Sequence, residues 1–159
     1  MARRTYVAQL RLFNDSIAGR MGDEQCERAR TSVHETGHVF GLWFVEEAAE
    51  FIDVTIVPDG DSAGATTSEG RDFCSRKQMF ANIMLKMAGK IAEEIVFGNF
   101  ADGCRSDLEE ARGFAMQLSQ TRSGVQQILA DAEEEMRSLM ETESKKQLLK
   151  KAILLYLTL

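Results

Sequence analysis

The chain has 159 residues, of which 44% are apolar and 28% are charged, and its formal net charge is −6. This composition is typical of one globular domain that buries a core. An acidic chain repels phosphate backbones, which disfavours nucleic-acid binding. The longest apolar run, 152–157, is far shorter than the ~20 residues of a membrane-spanning helix, and no Walker A motif is present. We therefore expect neither a membrane span nor an ATP motor.

Apolar spacing in the first half of the chain predicts two helices and one strand. Residues 6–21 fit a helical stripe, and a second helix is predicted at 23–44, where an Asp is a suitable N-cap. The segment 52–57 alternates and is rich in β-branched residues, which predicts a strand that ends at Pro58. A loop rich in Gly, Ser, Thr and Asp is predicted at 59–71.

Capping patterns mark the helices that follow. Ser75 and Gln78 form a capping box, and apolar residues then recur at spacings of three and four until Gly98 ends the helix. Ser106 and Glu109 form a second capping box, which predicts another helix directly after it.

Two apolar stripes, at 125–140 and 148–157, predict helices in the C-terminal region. The chain is therefore predicted to be mainly α with a small β element. Its cysteines are odd in number and irregularly spaced, which favours reduced thiols and a cytoplasmic protein. They are Cys26, Cys74 and Cys104.

The motif with chemical content is HETGH at 34–38. Because positions i and i+4 of a helix lie on one face, His34 and His38 can share a metal ion, and Glu35 can reach a water on it. Both histidines of the chain lie in this motif, which makes a chance occurrence improbable. We predict a metal site; the alternative is a pair of histidines with a purely structural role.

The third ligand is not fixed by spacing. The metzincin pattern would place a histidine at position 44, where the chain has Phe44, so a carboxylate or a thiolate must complete the site. Asp107 is predicted at the first position of a helix, where the helix dipole favours a carboxylate. The other candidates are Glu93 or Glu94, on the preceding helix, and Cys104.

Four segments in the same order resemble the peptidase domain of the FtsH family, the membrane-anchored AAA+ zinc proteases. HETGH resembles the family's HEAGH, and VTIVP at 54–58 resembles its VTIIP strand. AGKIAEEIVFG at 88–98 resembles its GGRLAEEIVFG, and DGCRSDL at 102–108 resembles its TGASNDL. Together these segments make the resemblance specific over about 23–122.

This resemblance implies an FtsH-like zinc peptidase domain with HExxH on a long helix. His34, His38 and Asp107 would bind Zn²⁺, and Glu35 would be the catalytic base. We expect a single domain, with an N-terminal segment at 1–22, the metal-site core at 23–122 and C-terminal helices at 123–159.

The resemblance also implies how substrate is handled. Glu93 and Glu94 would be structural or would support the ligating histidines. The reaction would be hydrolysis of peptide bonds in unfolded or flexible polypeptides by a metal-activated water. From the residues themselves, Pro58 just past the predicted strand is compatible with an edge position, so the strand could hold an extended substrate by backbone hydrogen bonds. Its residues are Ile52, Val54, Thr55, Ile56 and Val57.

The family's AAA+ module and transmembrane segments have no counterpart in this sequence. We therefore expect that the chain cuts polypeptides that are already flexible, that a separate ATPase delivers them, or that the sequence is a fragment. The family's hexameric rings imply a homo-oligomer. The alternative function is that of a catalytically degenerate module that binds metal or another protein.

Overall fold

The computed structural model describes residues 23–60, 63–70, 74–142 and 147, with side chains from Glu27 onward. The described elements confirm a mainly α fold with a small β element. They are α1 (Asp23–Phe44), β1 (Phe51–Thr55), β2 (Ala65–Ser68), α2 (Arg76–Phe97), a 3₁₀ turn (Asp102–Cys104), α3 (Arg105–Leu118) and α4 (Arg122–Glu141). The stripes predicted at 6–21 and 148–157 lie outside the described residues.

Helix α2 is the centre of the fold and packs against α1, α3 and α4. It begins as predicted, because the Ser75 side chain accepts from the backbone of Gln78, whose own side chain accepts from the Ser75 backbone. It ends at Gly98, whose left-handed conformation (φ 76°) strongly favours glycine. The largest fully buried apolar side chains come from α1, α2 and α4: Val33, Ile83, Ile91, Met136 and Met140.

Two glycines let α1 and α2 approach closely enough to form the site. A Cβ added at Gly37 would lie 2.5 Å from the carbonyl oxygen of Ala88. A Cβ at Gly89 would lie 2.5–2.7 Å from three atoms of the His34 ring. Both distances are far inside van der Waals contact, so any larger residue would force the helices or the ring apart.

The β element is an antiparallel pair in which Val54 is opposite Thr66 and Thr55 is opposite Ala65. The predicted strand at 52–57 is too long, because the Thr55 hydroxyl accepts from the backbone N–H of Val57 and turns the chain after residue 55. Ile56 and Val57 therefore lie outside the strand.

The predicted loop at 59–71 is also partly wrong, since β2 lies within it. The segment Ala65–Ser68 contains no large apolar residue, so periodicity gave no signal. Its backbone pairs with β1, which supplies the partner groups from outside the segment itself.

Candidate metal centre and active site

Helix α1 places the two histidines of HETGH on one face, one turn apart, as the i, i+4 spacing predicts. Their rings meet edge to face with centroids 4.7 Å apart, and their Nε2 atoms are 3.0 Å apart. The His34 ring lies against Gly89 of α2. The two nitrogens therefore point at a common position between α1 and its neighbours.

Asp107 of α3 completes a triangle of ligand-capable atoms. Its Oδ2 is 3.2 Å from Nε2 of His34 and 3.1 Å from Nε2 of His38. Asp107 follows His34 by 73 residues and His38 by 69 residues, so the tertiary fold brings them together. These three atoms are close enough together to bind one metal ion.

The outer nitrogens of both histidines are already bonded to acceptors. Nδ1 of His34 is 2.8 Å from Oε1 of Glu93, and Nδ1 of His38 is 2.9 Å from the carbonyl oxygen of Leu85. A nitrogen that faces an acceptor must carry the proton, so in neutral rings both Nε2 lone pairs face Oδ2 of Asp107. Within the part of the chain that the structure describes, these three acceptors meet with no donor between them, so the site requires a cation or additional protons.

The pKa shifts of His34 and Asp107 also indicate that the site favours positive charge beside the Asp107 carboxylate. Burial lowers the pKa of His34, but hydrogen bonds to Asp107, Cys104 and Glu93 outweigh burial and raise it to about 12. Burial raises the pKa of Asp107, but its bonds to both histidines and the nearby charge of Lys86 hold that pKa well below its usual range. Asp107 is therefore a carboxylate in this setting.

Glu93 accepts a hydrogen bond from Nδ1 of His34, on the side of the ring away from Asp107, and is only 2% exposed. Its Oε2 accepts from Arg30 at 2.7 Å and from the backbone N–H of Ala101 at 3.0 Å. Its Oε1 accepts from the thiol of Cys104 at 3.3 Å as well as from His34. Burial alone would raise the pKa of Glu93, but these bonds lower it, so the buried carboxylate stays ionised.

The other two candidate ligands lie outside the triangle. Glu94 points away from the histidines and forms ion pairs with Arg137 of α4 and, at 3.5 Å, with Lys90. The Cys104 thiol is buried 3.6 Å from Nδ1 of His34, on the side of the ring away from Asp107. The sequence left four third-ligand candidates open, and the structure places Asp107 alone beside both Nε2 atoms.

Glu35 is 6% exposed, and the structure gives it a partner that the sequence did not reveal. Its Oε2 accepts from the Thr66 hydroxyl at 2.6 Å. Thr66 lies in β2, which was predicted as loop, so neither a motif nor periodicity pointed to it. The hydrogen bond fixes one oxygen of this carboxylate, and Glu35 lines the same cleft as the two histidines.

A sequence model of peptidase family M41 matches residues 21–150, which is most of the chain. The chain belongs to peptidase family M41. It is similar to a protein named "ATP-dependent zinc metalloprotease FtsH" from Karelsulcia muelleri (strain DMIN), with 34% identity over 119 residues that cover 68% of this chain and 19% of that protein. The resemblance to the FtsH family is confirmed.

Two further relatives show the same pattern. The FtsH metalloprotease of Mesoplasma florum is 34% identical over 122 residues, which cover 71% of this chain and 19% of that protein. The "YME1 homolog" metalloprotease of Caenorhabditis elegans is 33% identical over 105 residues, which cover 63% of this chain and 14% of that protein. This chain therefore spans less than a fifth of the length of these relatives.

The M41 site opens into a cleft of about 1080 Å³. Strand β2, rather than β1, lines this cleft, with Ala65, Thr66 and Ser68 in its wall. None of the five residues predicted to form the substrate strand lies in that wall. Strand β2 also contacts Glu35 directly, through the Thr66 hydroxyl.

The start of α3 also differs from the prediction. Ser106 and Glu109 form no capping box, because the 3₁₀ turn leads straight into the helix and Cys104 occupies the N-cap position in helical conformation. Glu109 instead pairs with Arg105 at 3.2 Å. Asp107 is thus the third helical residue rather than the first, and it remains in the first turn, where the dipole favours its charge.

Lys86 of α2 is a further cleft residue that the sequence did not single out. Its Nζ is 3.2 Å from Oδ1 of Asp107 and 2.9 Å from Oε2 of Glu110. Burial lowers the pKa of Lys86, but the bond to Glu110 and the charges of both acids raise it overall, so Lys86 is a cation.

Among the described helices, none is long and apolar enough to cross a membrane.

Proposed function

We propose that this M41 chain is a zinc-dependent endopeptidase that hydrolyses peptide bonds in unfolded or flexible polypeptides. The observation on which this proposal rests is that three acceptor atoms, from His34, His38 and Asp107, converge in a cleft. The buried side chain of Glu35 lines the same cleft. The names of the relatives, which are zinc metalloproteases, support the same metal and reaction class.

The donor set fits Zn²⁺. Two imidazole nitrogens and one carboxylate oxygen are a usual ligand set for a catalytic zinc, which keeps a further position open. Tetrahedral bonds of ~2.05 Å place neighbouring ligand atoms about 3.3 Å apart. The three distances here are 3.0, 3.1 and 3.2 Å, so little movement would be needed. When bound, Zn²⁺ would make a water molecule more acidic and polarise the scissile carbonyl.

The supporting residues determine which ring nitrogens face the metal position. Glu93 and the Leu85 carbonyl each accept a hydrogen bond from Nδ1 of one histidine, which directs Nε2 towards that position. The ionised carboxylate of Asp107 supplies one negative charge. This arrangement agrees with the supporting role that the sequence predicted for Glu93, whereas Glu94 stabilises the contact of α2 with α4.

Glu35 is the proposed general base. Its Oε1 would accept a proton from the attacking water and return it to the leaving amine. The Thr66 hydroxyl, bonded to Oε2, fixes the orientation of the carboxylate. A module that only bound metal would not need this buried, oriented acid, which favours the peptidase over the degenerate alternative.

The substrate would bind along β2. A polypeptide in extended conformation can add to the edge of β2 that faces away from β1, using backbone hydrogen bonds that are tolerant of sequence. This places the peptide next to Thr66 and Glu35. The substrate strand proposed from the sequence is thereby moved from β1 to its neighbour.

The relatives' names add an ATP-dependent step. Since this chain spans less than a fifth of those proteins, we propose that an ATPase supplies the domain with unfolded polypeptide and that the domain acts in a homo-oligomer, a hexamer by family resemblance. Cleavage of a short unstructured peptide should not require that ATPase, because such a peptide is already extended.

The test combines metal content with cleavage of a fluorogenic unstructured peptide. We expect one zinc per chain and cleavage that is lost on chelation and restored by zinc. Glu35→Gln should retain zinc and cleave about 10²- to 10⁴-fold more slowly. Glu134→Gln, on the exposed surface of α4, is the matched control and should cleave normally. Zinc binding without cleavage by the unmodified chain would contradict the peptidase and support the metal-binding module.

A further inference from the structure

The two oxygens of the Asp107 carboxylate have different neighbours. Oδ2 lies beside both histidine Nε2 atoms, at 3.2 and 3.1 Å. Oδ1 is 3.2 Å from Nζ of Lys86. One oxygen is therefore directed to the metal position, and the other is held by a cation that belongs to a different helix.

Lys86 is itself held in place by a second carboxylate. Its Nζ is 2.9 Å from Oε2 of Glu110, which follows Asp107 by three residues and lies on the same side of α3. A lysine ammonium has three donors, so it can bond both acids at once. The two contacts fix the position of the ammonium group between the acids.

We propose that Lys86 is a positioning residue that makes Asp107 bind the metal through one oxygen. The proposal rests on the metal site of the proposed function. The last torsion of an aspartate is broad and roughly two-fold, so the side chain alone does not select one oxygen. Carboxylates bind metal ions through one or two oxygens, and an unrestrained Oδ1 could rotate towards the same ion.

One-oxygen binding matters for catalysis because it limits the number of protein ligands. Two histidines and one carboxylate oxygen make three ligands and leave a position open for the reacting groups. A second oxygen from Asp107 would compete for that position. Lys86 therefore keeps the site open by occupying Oδ1, without touching the metal position itself.

Helix α2 offers a matched control in Lys90. Like Lys86, Lys90 bonds two acids, Glu94 at 3.5 Å and Glu133 at 2.7 Å, but neither acid belongs to the triangle. Lys90→Met removes an ion-paired lysine from the same helix and leaves Asp107 unchanged. Lys86→Met removes the Oδ1 contact and keeps most of the aliphatic stem that packs at the edge of the cleft.

The experiment replaces zinc by Co²⁺ in the full chain and records the visible spectrum, which reports coordination number. The unmodified chain and Lys90→Met should show the intense band of four-coordinate Co²⁺. Lys86→Met should show the weaker band of a higher coordination number, and Lys86→Arg, which retains a cation and donors, should restore the intense band. Circular dichroism of each variant verifies that the helices are intact.

Other results separate the two proposals. If Lys86→Met gives the spectrum of the unmodified chain, or if Lys90→Met changes it equally, the positioning role is wrong while the metal site stands. If the unmodified chain binds no Co²⁺ at the triangle, the proposed function itself is wrong.

Discussion

Gly89 provides the sharpest test of how α2 sets the geometry of the metal centre. A Cβ at this position would lie 2.5 Å from Cε1 of His34 and 2.7 Å from both ring nitrogens. Carbon atoms in favourable contact are separated by ~3.5 Å or more, so Gly89→Ala must move the ring by about 1 Å. The ring cannot move without disturbing Nε2, which faces Asp107, and Nδ1, which faces Glu93.

The expected magnitudes follow from this displacement. Alanine is favoured over glycine in a helix by about 1 kcal/mol, while overpacking a buried site costs ~1–3 kcal/mol. We therefore expect the metal-free Gly89→Ala protein to lose about 1 kcal/mol of unfolding free energy. Disturbed support of a ligating histidine lowers metal affinity ~10- to 100-fold, and a displacement of ~1 Å can slow cleavage about 100-fold.

Urea denaturation with a chelator measures the stability, and competition with a zinc-binding dye measures the affinity. Gly113→Ala is the control, because Gly113 lies within α3 and a Cβ there would have no neighbour within 4 Å. That variant should be slightly more stable and should bind zinc normally. A Gly89→Ala protein with unchanged zinc affinity would refute the idea that this close approach positions His34.

Two further predictions concern polar contacts. Thr66→Val should retain zinc but lower kcat about 10-fold or more, because it removes a hydrogen bond to the Glu35 carboxylate. An unchanged kcat would contradict the proposal that Thr66 orients Glu35. At neutral pH, Glu133→Gln should lower the unfolding free energy, measured by urea denaturation, by at most ~1 kcal/mol. The ion pairs of Glu133 with Lys90 and Arg137 are partly exposed, which limits their contribution. Burial raises the pKa of Glu133, but these partners lower it below 4.5, so the stabilisation exists above that pH and disappears as pH falls through the folded value. An equal loss at a pH low enough to protonate Glu133 in the folded protein would show that the effect is not ionic.

Local rules were sufficient for the histidine pair and for α2. The i, i+4 spacing of His34 and His38 is a property of one helix, and it survives in any fold that keeps α1 helical. The capping box at Ser75 and the glycine at position 98 likewise act on neighbouring residues. These features were predictable because the interactions that determine them lie within a few residues.

The remaining parts of the site depend on contacts between distant segments. The partner of Glu35 is Thr66, which is 31 residues away in a strand that exists only because β1 pairs with it. Lys86 and Asp107 are 21 residues apart on different helices. A lone Thr or Lys carries no local signature of such a role, so composition and periodicity could not identify either residue.

The choice between Glu93 and Glu94 shows how one tertiary contact resolves what the sequence leaves open. Adjacent helical residues differ by about 100° in direction, so only one of the two acids can face α1. Gly89 contacts the His34 ring, and Glu93, four residues later, must lie on the same face. Lys90 and Glu94 share the next face, which meets Arg137 of α4. Once Gly89 is known to face His34, the periodicity of helix α2 alone separates the acid that bonds His34 from the acid that forms ion pairs with Lys90 and Arg137.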